Sequence, residues 1–484
     1  MAKFNRRQFL ALSAAGLGTA VAAKWVMGKG TKPVLRSPVN SPRLIHSQDG
    51  LLELDLEASY RPVKLGNRQA YLLCYNGQVP APCLEAKAGD TVRIHFANNL
   101  AEPTNLHYHG LHVTPSGNAD NVFLSIDPNE KLTYEFTIPQ NHPAGTFWYH
   151  PHRHGYVAEQ LFAGLAGMFI VRGELDEIPE VKAAKEEIII LKDFALDDRG
   201  YLLPPDRHQV MMNGREGELL TVNGRANFPL SIASGGLLRL RLLNASPSRF
   251  YRLKLENHPF YLIATDGGAI ANPVELSELL LTPGERAEVL IKGDSEPGQY
   301  RLLNLPYERG GMGMMGGMMM EGQAANEPQT LATLSYKGSM AALPLPDKLL
   351  PVETLPESPV TKRLELSMKM GLGKMAFTFN NKVYQPERID TQVKLNTIED
   401  WEIVNVETDG MEHPFHLHVN PFQVVSRNGK PEPYRAWKDT ILVGSGETVR
   451  IRIPFRDFAG KTVYHCHILD HEDLGMMGNL EIIS

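Results

Sequence analysis

Short segments in which apolar and polar residues alternate dominate the pattern of this chain. They include residues 91–97, 131–138, 187–191, 237–243 and 448–454. Side chains of a β-strand point alternately to its two faces, so this pattern predicts strands with one buried face. Gly, Pro and Asn separate the segments and mark turns, whereas helical spacing of apolar residues is scarce. We therefore predict an all-β chain.

A turn followed by a strand recurs along the chain and indicates repeated structural units. The pattern occurs at residues 88–94, 234–240, 283–289 and 446–452. Stretches rich in charge and Pro, which are predicted connectors, lie at residues 172–185 and 337–360. Repeated strand units favour tandem β-sandwiches. We predict three such domains, at residues 43–173, 181–338 and 358–484.

The first residues have the pattern of an export signal. The pair Arg6-Arg7 precedes an apolar run of small residues that ends at Lys24. This pattern predicts a twin-arginine (Tat) signal peptide over residues 1–24, followed by a linker at 25–42. A single membrane anchor is the alternative, and the short length of the run disfavours it. We expect a bacterial periplasmic protein without a stable membrane span after signal cleavage.

The composition excludes some classes of function. The 484 residues carry a formal net charge of −6, which argues against a nucleic-acid partner, and three cysteines are too few for a disulfide scaffold. The chain also holds 17 histidines and 18 methionines. Because these two residue types cluster in the sequence, they direct attention to metal binding.

Four His-x-His pairs stand out, at His107/His109, His150/His152, His416/His418 and His465/His467. Residues i and i+2 of a strand point to the same face, so each pair offers two imidazoles to one side. A single pair is weak evidence, because surface or core histidines explain it equally well. Four pairs, two in each end region of the chain, predict a shared metal site, and imidazole suits copper, zinc, iron and nickel.

The C-terminal stretch narrows the choice of metal. Cys466, His471 and Met476 supply thiolate, imidazole and thioether within a short segment, and His413 lies upstream. Two imidazoles, a thiolate and a weak axial thioether form a blue-copper site. Zinc would not prefer the thioether, and an iron–sulfur cluster needs more thiolates. Alternation turns Cys466 to one face of its strand and its two histidine neighbours to the other, which predicts two adjacent metal sites.

The motifs His107-Tyr108-His109-Gly110, Trp148–His152, His413–His418 and His465–Met476 together resemble the three-domain multicopper oxidases, which include laccases and cuprous oxidases. They occur in the family's order and span nearly the whole mature chain. The resemblance implies three tandem cupredoxin-like Greek-key β-sandwich domains with a trinuclear copper cluster between the first and third. It also implies four copper ions, dioxygen as the electron acceptor and water as the product.

The resemblance assigns each candidate ligand to a copper. The type 1 ligands would be His413, Cys466, His471 and Met476. The type 2 ligands would be His107 and His416. The two type 3 coppers would be held by His109, His150 and His467 and by His152, His418 and His465.

Three carboxylates accompany these ligands. Asp120 resembles the family's carboxylate near the cluster, and a turn aspartate is the alternative. Glu472, beside His471, is a candidate for proton delivery or substrate contact, and a solvated side chain is the alternative. Asp409 matches an acidic position near the type 1 site of cuprous oxidases, and an ordinary turn residue explains it equally well.

Residues 310–320 contain only Gly and Met. Glycines disfavour a helix there, and thioethers suit Cu(I). The run resembles Met-rich inserts of cuprous oxidases, and a hairpin tip without a specific role is the alternative. We therefore prefer Cu(I) over a small phenolic donor as the substrate of a monomeric oxidase. The rival functions are a copper-sequestering protein, a nitrite reductase, and a cell-division protein of this architecture that lacks the copper ligands.

Several other residues are left without a ligand role. His112, His142 and His154 lie near the motifs and are predicted to support the ligands or to lie at the surface. Cys74 and Cys83 would form a disulfide or remain two buried thiols, and the sequence alone leaves both possibilities open.

Overall fold

The computed structural model describes residues 42–309, 327–371, 374–408 and 410–484. The predicted signal peptide, nearly all of the predicted linker, the Gly-Met run at 310–320 and Asp409 lie outside the described residues. Within the described ranges, the chain forms six β-sheets, two in each of three successive β-sandwich domains. The prediction of an all-β protein is confirmed.

The first domain contains nine strands and one short helix. One of its sheets has the strand order β1-β4-β9-β8-β6 and the other has the order β3-β2-β5-β7. The elements are β1 (Leu44–His46), β2 (Leu51–Leu65), β3 (Arg68–Tyr75), β4 (Cys83–Lys87), β5 (Thr91–Asn99), β6 (His107–His109), β7 (Lys131–Thr137), β8 (Gly145–His150), α1 (Val157–Phe162) and β9 (Gly167–Arg172).

The second domain has sheets with the orders β11-β10-β13-β18-β15-β16 and β12-β20-β19-β14-β17. Its elements are α2 (Glu174–Glu177), α3 (Pro179–Ala183), β10 (Lys185–Phe194), α4 (Arg207–Met212), β11 (Leu219–Val222), β12 (Phe228–Ser234), β13 (Leu237–Asn244), β14 (Tyr251–Leu255), β15 (Phe260–Thr265), β16 (Gly268–Leu276), β17 (Leu279–Leu281), β18 (Arg286–Lys292), β19 (Gln299–Leu305) and β20 (Gln329–Ser339).

The third domain has sheets with the orders β22-β21-β24-β30-β26-β27, in which β28 also pairs with β26, and β23-β32-β31-β25-β29. Its elements are β21 (Val360–Gly371), β22 (Lys374–Phe379), β23 (Thr391–Lys394), β24 (Thr397–Asn405), β25 (His413–Leu417), β26 (Phe422–Arg427), β27 (Lys430–Pro431), β28 (Trp437–Lys438), β29 (Thr440–Val443), β30 (Thr448–Phe455), β31 (Gly460–Cys466), α5 (Leu469–Asp473) and β32 (Met477–Ile483).

The three domains share one topology. In each, a long first strand pairs antiparallel with the next strand and parallel with a third, as β2 does with β3 and β5. In the second sheet a parallel pair continues into antiparallel neighbours, in the orders β4-β9-β8-β6, β12-β20-β19-β14 and β23-β32-β31-β25. Strands β6 and β8 of the first domain therefore correspond to β25 and β31 of the third, and to β14 and β19 of the second.

The five segments predicted as strands are all strands, with ends shifted by at most a few residues. The turn repeat needs a correction. Strands β5 and β13 run parallel to the first long strand of their domains, whereas β18 and β30 pair antiparallel with the next strand along the sheet. The repeat therefore marks a common local turn and not one equivalent position in every domain.

Each sandwich encloses its own core of buried apolar residues. The alternating strands supply them, as Leu52, Leu54 and Leu56 do on β2. A smaller cluster around Trp148, Leu161 and Leu469 joins elements of all three domains. In the part of the chain described, no helix has the length and apolar character needed to cross a membrane.

Candidate metal centre

Two pairs of neighbouring strands carry the His-x-His motifs. On β6 and β8, His107 lies opposite His150, and on β25 and β31, His416 lies opposite His465. The other member of each pair lies on the same strand or directly beyond its end. Because these strand pairs are topologically equivalent, the first and third domains present their imidazoles in the same way.

The eight imidazoles of these motifs converge between the first and third domains and form what we call the imidazole set. The rings of His107 and His418 stack with centroids 4.0 Å apart, and those of His109 and His416 with centroids 3.8 Å apart. The Nε2 atom of His465 lies 3.0 Å from Nε2 of His418 and 3.1 Å from Nε2 of His152. All eight residues are at most 2% exposed, so the set is closed off from bulk water.

One nitrogen of most of these rings is fixed by a protein acceptor. His107 Nδ1 donates a hydrogen bond to the Asp120 carboxylate at 2.8 Å. Three other Nδ1 atoms donate to backbone carbonyl oxygens: that of His150 to Pro151 at 2.9 Å, that of His416 to Asp439 at 2.8 Å and that of His465 to Cys466 at 3.0 Å. The second nitrogen of a neutral imidazole is then a lone-pair acceptor.

Four of the inward nitrogens are unpaired in the described part of the chain. Among the described residues, no hydrogen-bond partner is found for Nε2 of His107, His150 and His416 or for Nδ1 of His109. Buried acceptors that face one another are unfavourable unless a donor or a cation lies between them. Groups of three ligand atoms lie within 4.8 Å of one another, among them those of His152, His418 and His465. The set therefore fits bound metal ions.

Burial also sets the protonation state that metal binding requires. It lowers the pKa of His152 to about 3, and it holds the pKa of His107 and His465 well below the usual value for histidine. These rings are neutral near pH 7, and a neutral imidazole is the form that binds a metal.

A second group of candidate ligands lies on the other side of β31. The Cys466 Sγ atom lies 3.5 Å from His413 Nδ1 and 3.9 Å from His471 Nδ1. Met476 is fully buried in the same apolar cluster as Cys466. We call these four residues the mononuclear set. Burial raises the pKa of the Cys466 thiol far above its usual range, so a bound cation is needed to hold it as a thiolate.

The alternation predicted for the Cys466 segment is what the structure contains. Cys466 faces the mononuclear set, while His465 and His467 on either side belong to the imidazole set. The short helix α5 follows directly and returns His471 to the thiol. Only a few covalent bonds of the chain around Cys466 therefore separate the two sets, and α5 supplies His471 to the mononuclear set.

Asp120 contacts the imidazole set. Its Oδ1 atom accepts hydrogen bonds from His107 Nδ1 and from the backbone amide of Tyr108 at 2.9 Å, while Oδ2 has no partner among the described residues. Burial raises the pKa of Asp120 to about 8.

Glu472 is fully buried, so the alternative of a solvated side chain is wrong. Its Oε2 atom lies 3.2 Å from His465 Nδ1, and its Oε1 atom lies 3.7 Å from His152 Nδ1. Neither oxygen has a hydrogen-bond partner within the described part of the chain. Burial raises the pKa of Glu472 well above the usual value for glutamate.

The remaining histidines near the motifs have contacts of their own. His112 bonds the carbonyl oxygen of Val419 at 2.8 Å and Asp457 at 2.9 Å. His142 accepts a bond from the His112 backbone amide. His154 is partly exposed and packs on Tyr384. Cys74 and Cys83, like Cys466, are buried free thiols, so the disulfide alternative is wrong.

Sequence reasoning missed Asp439 and Arg286, which lie beside the imidazole set. Asp439 Oδ1 accepts a hydrogen bond from His109 Nε2 at 3.0 Å, and the Arg286 guanidinium donates to the same carboxylate. The only local signal is the charged pair Lys438-Asp439 directly before the apolar strand β29. Arg286 lies in a different domain, and its sequence context gives no indication of this contact.

Family models described as multicopper oxidase match three parts of the chain, at residues 57–176, 185–339 and 357–483. The chain is 33% identical over 427 residues to the multicopper oxidase mco of Staphylococcus haemolyticus, covering 86% of this chain and 85% of that protein. It is 29% identical to the cell division protein FtsP of Xenorhabdus nematophila, over 99% of this chain and 98% of that protein.

Among solved structures, the multicopper oxidase of Campylobacter jejuni, described as a metallo-oxidase, superposes with a TM-score of 0.79 at 33% identity. The match covers 92% of this chain and 94% of that one. The sandwiches are thus three cupredoxin-like domains. Family models over most of the chain, and relatives at this identity and coverage, show that the chain belongs to the multicopper oxidases, copper-dependent oxidoreductases that use dioxygen.

Proposed function

We propose that this chain holds four copper ions, a type 1 copper in the mononuclear set and a trinuclear cluster in the imidazole set. When bound, copper supplies one-electron acceptance at the first site and four-electron reduction of dioxygen to water at the second. The observation that carries this proposal is the alternation on β31, where Cys466 faces one set and its histidine neighbours face the other.

The partition of the ligands follows the family resemblance. His413, Cys466, His471 and Met476 would form the type 1 site. His107 and His416 would bind the type 2 copper, and the type 3 coppers would be held by His109, His150 and His467 and by His152, His418 and His465. The close approach of the three Nε2 atoms of His152, His418 and His465 supports the last of these groups.

Asp120 and Glu472 would hold protons for the reduction of dioxygen. Each is buried beside a ring of the imidazole set and keeps at least one oxygen without a partner among the described residues. Such an oxygen is free to accept or release a proton, which is the role of a positioned acid or base. A cavity of about 610 Å³ has His152, Tyr384 and Lys461 in its lining, so dioxygen and water would approach the buried set from the His152 side.

We propose Cu(I) as the preferred electron donor. The Gly-Met run offers soft ligands, and the Campylobacter jejuni relative is described as a metallo-oxidase. Asp409 would assist near the type 1 site. A small phenol is the alternative donor. The proposal includes Tat-dependent export to the periplasm and a monomeric state, both based on the sequence alone.

A copper-free role in cell division is the second candidate, because the FtsP match covers nearly the whole chain. Measurement of copper bound per chain, combined with oxygen uptake on Cu(I) and on a phenol, separates these functions. We expect four coppers and faster oxygen uptake with Cu(I). Protein that binds no copper and consumes no oxygen would favour the FtsP-like role, whereas copper binding without oxygen uptake would indicate sequestration.

Replacement of the six methionines of the run with serine tests the donor. We expect Cu(I) oxidation to fall while phenol oxidation and copper content are kept, because none of the twelve proposed ligands lies in the run. Met340→Ser, at a half-exposed methionine elsewhere, is the matched control. Equal losses on both donors would assign the run a structural role, and unchanged Cu(I) oxidation would favour the phenol.

A further inference from the structure

Asp439 joins the two domains that supply the imidazole set. Its Oδ1 atom accepts a hydrogen bond from His109 Nε2 at 3.0 Å, and its backbone carbonyl oxygen accepts one from His416 Nδ1 at 2.8 Å. His109 belongs to the first domain and His416 to the third. The Thr440 hydroxyl oxygen lies 3.3 and 3.2 Å from the same two nitrogens. With these nitrogens engaged, Nδ1 of His109 and Nε2 of His416 face inward.

Arg286, at the start of β18 in the second domain, holds the Asp439 side chain. Its Nη1 atom donates to Oδ1 at 2.8 Å and its Nη2 atom donates to Oδ2. The same guanidinium donates to the carbonyl oxygens of Gly284 (3.1 Å), Asp266 (2.9 Å) and Thr146 (3.0 Å). All three of its nitrogens are engaged in a fully buried position, so the planar fork can hold the carboxylate in only one orientation.

Two glycines make room for this arrangement. Gly110, the last residue of the first His-x-His motif, has a φ of +87°, and a Cβ atom there would lie 2.6 Å from Asp439 Oδ2 and overlap the Arg286 guanidinium. Gly284 has a φ of +85°, and its Cβ atom would lie 2.7 Å from His467 Nε2. The backbone of the second domain therefore also packs directly against a ring of the imidazole set.

We propose that the second domain, which supplies none of the proposed ligands, sets the orientation of His109 through Arg286 and the Asp439 carboxylate. Both are then positioning residues for the trinuclear site, and this inference rests on the proposed function. Arg286→Lys would keep the positive charge but lose the two parallel hydrogen bonds to the Asp439 carboxylate, which would then be free to rotate away from His109.

The test compares Arg286→Lys and Asp439→Asn with the control Arg452→Lys. Arg452 also grips a buried carboxylate, Asp400, with two hydrogen bonds, and Asp400 bonds none of the proposed ligands. In copper-loaded protein, we expect the two cluster variants to bind the trinuclear coppers about 10- to 100-fold more weakly, the usual cost of losing a partner that orients a ligand. Competition with a chelator measures the affinity, and the electron paramagnetic resonance signal of the type 2 copper should change with it.

The blue absorbance of the type 1 site should stay constant in all three variants, and Arg452→Lys should change only the melting temperature. Wild-type affinity and an unchanged type 2 signal in both cluster variants would overturn the inference, as would an equal effect of Arg452→Lys. If Arg286→Lys does not fold, Asp439→Asn, which is nearly identical in shape, decides the question. Wild-type protein that binds no copper would instead contradict the proposed function, and this is measured first.

Discussion

The mononuclear set and the imidazole set share strand β31 but differ in what surrounds their rings. In the imidazole set, outward nitrogens of His107 and His109 bond the carboxylates of Asp120 and Asp439. In the mononuclear set, His471 Nε2 bonds a backbone carbonyl oxygen, that of Met212, at 3.2 Å, and Phe377 stacks on the same ring at 3.7 Å. His413 Nε2 has no hydrogen-bond partner in the described part of the chain.

This difference suits the two proposed tasks. Transfer of a single electron needs no proton, so an apolar pocket with soft ligands is sufficient there. Reduction of dioxygen to water consumes protons, and the imidazole set has buried carboxylates beside it. Alternation along one strand therefore places an apolar site and a polar site back to back, only a few bonds apart.

The largest expected effect comes from Cys466→Ser. Serine replaces a soft thiolate with a hard hydroxyl and removes the ligand that lies between the two sets. We expect complete loss of the blue colour and of oxidase activity, with the fold retained, as measured by absorbance, oxygen uptake and circular dichroism. Cys83→Ser, at a buried thiol outside both sets, is the control and should remain blue. A Cys466→Ser protein that stays blue would refute the assignment of the mononuclear set.

His416→Ala tests whether the two sets are separable. The substitution removes an imidazole from the proposed trinuclear site and leaves the residues around Cys466 in place, so we expect the protein to remain blue and to lose oxygen reduction. His413→Ala should instead lose the blue colour, because that ring lies 3.5 Å from Cys466 Sγ. If His416→Ala bleached the protein, the division of ligands would be wrong.

Glu472→Gln should have a smaller effect. The amide keeps the shape of the side chain but cannot carry the proton, so reoxidation by dioxygen should slow by about 100-fold, the lower end of what a positioned acid contributes. Reduction of the type 1 copper by the donor should be unchanged in stopped-flow absorbance. Glu412→Gln, beside His413 and bonded to Tyr307, is the matched control and should leave reoxidation unaffected. Equal reoxidation rates for Glu472→Gln and wild type would remove Glu472 from proton delivery.

The strands and the members of both candidate ligand sets were predictable from sequence because they depend on local patterns. Four His-x-His pairs and the alternation around Cys466 identify the residues without any tertiary information. The supporting groups were not predictable, since Arg286 reaches Asp439 across 153 residues of sequence and a domain interface. The burial of Glu472 depends likewise on how α5 packs against the first domain. The domain boundaries at 43–173, 181–338 and 358–484 and the twin-arginine signal stay predictions.

The smallest expected effect concerns a property that the two sets share. Without copper, burial holds the pKa of both His152 and His413 at about 3, below the ordinary value of 6.5. Between these values the unfolded chain binds a proton at each residue and the folded chain does not. The free energy of unfolding of the copper-free protein should therefore fall as the pH drops below 6.5, by about 1.4 kcal/mol per pH unit for each such proton. Denaturant titrations of copper-free protein at about pH 7 and about pH 5 measure this slope.

His152→Gln and His413→Gln should each reduce the slope by the same amount, because each removes one buried neutral imidazole. A slope that responds to only one of the two substitutions would show that the sets differ in protonation as well as in their surroundings.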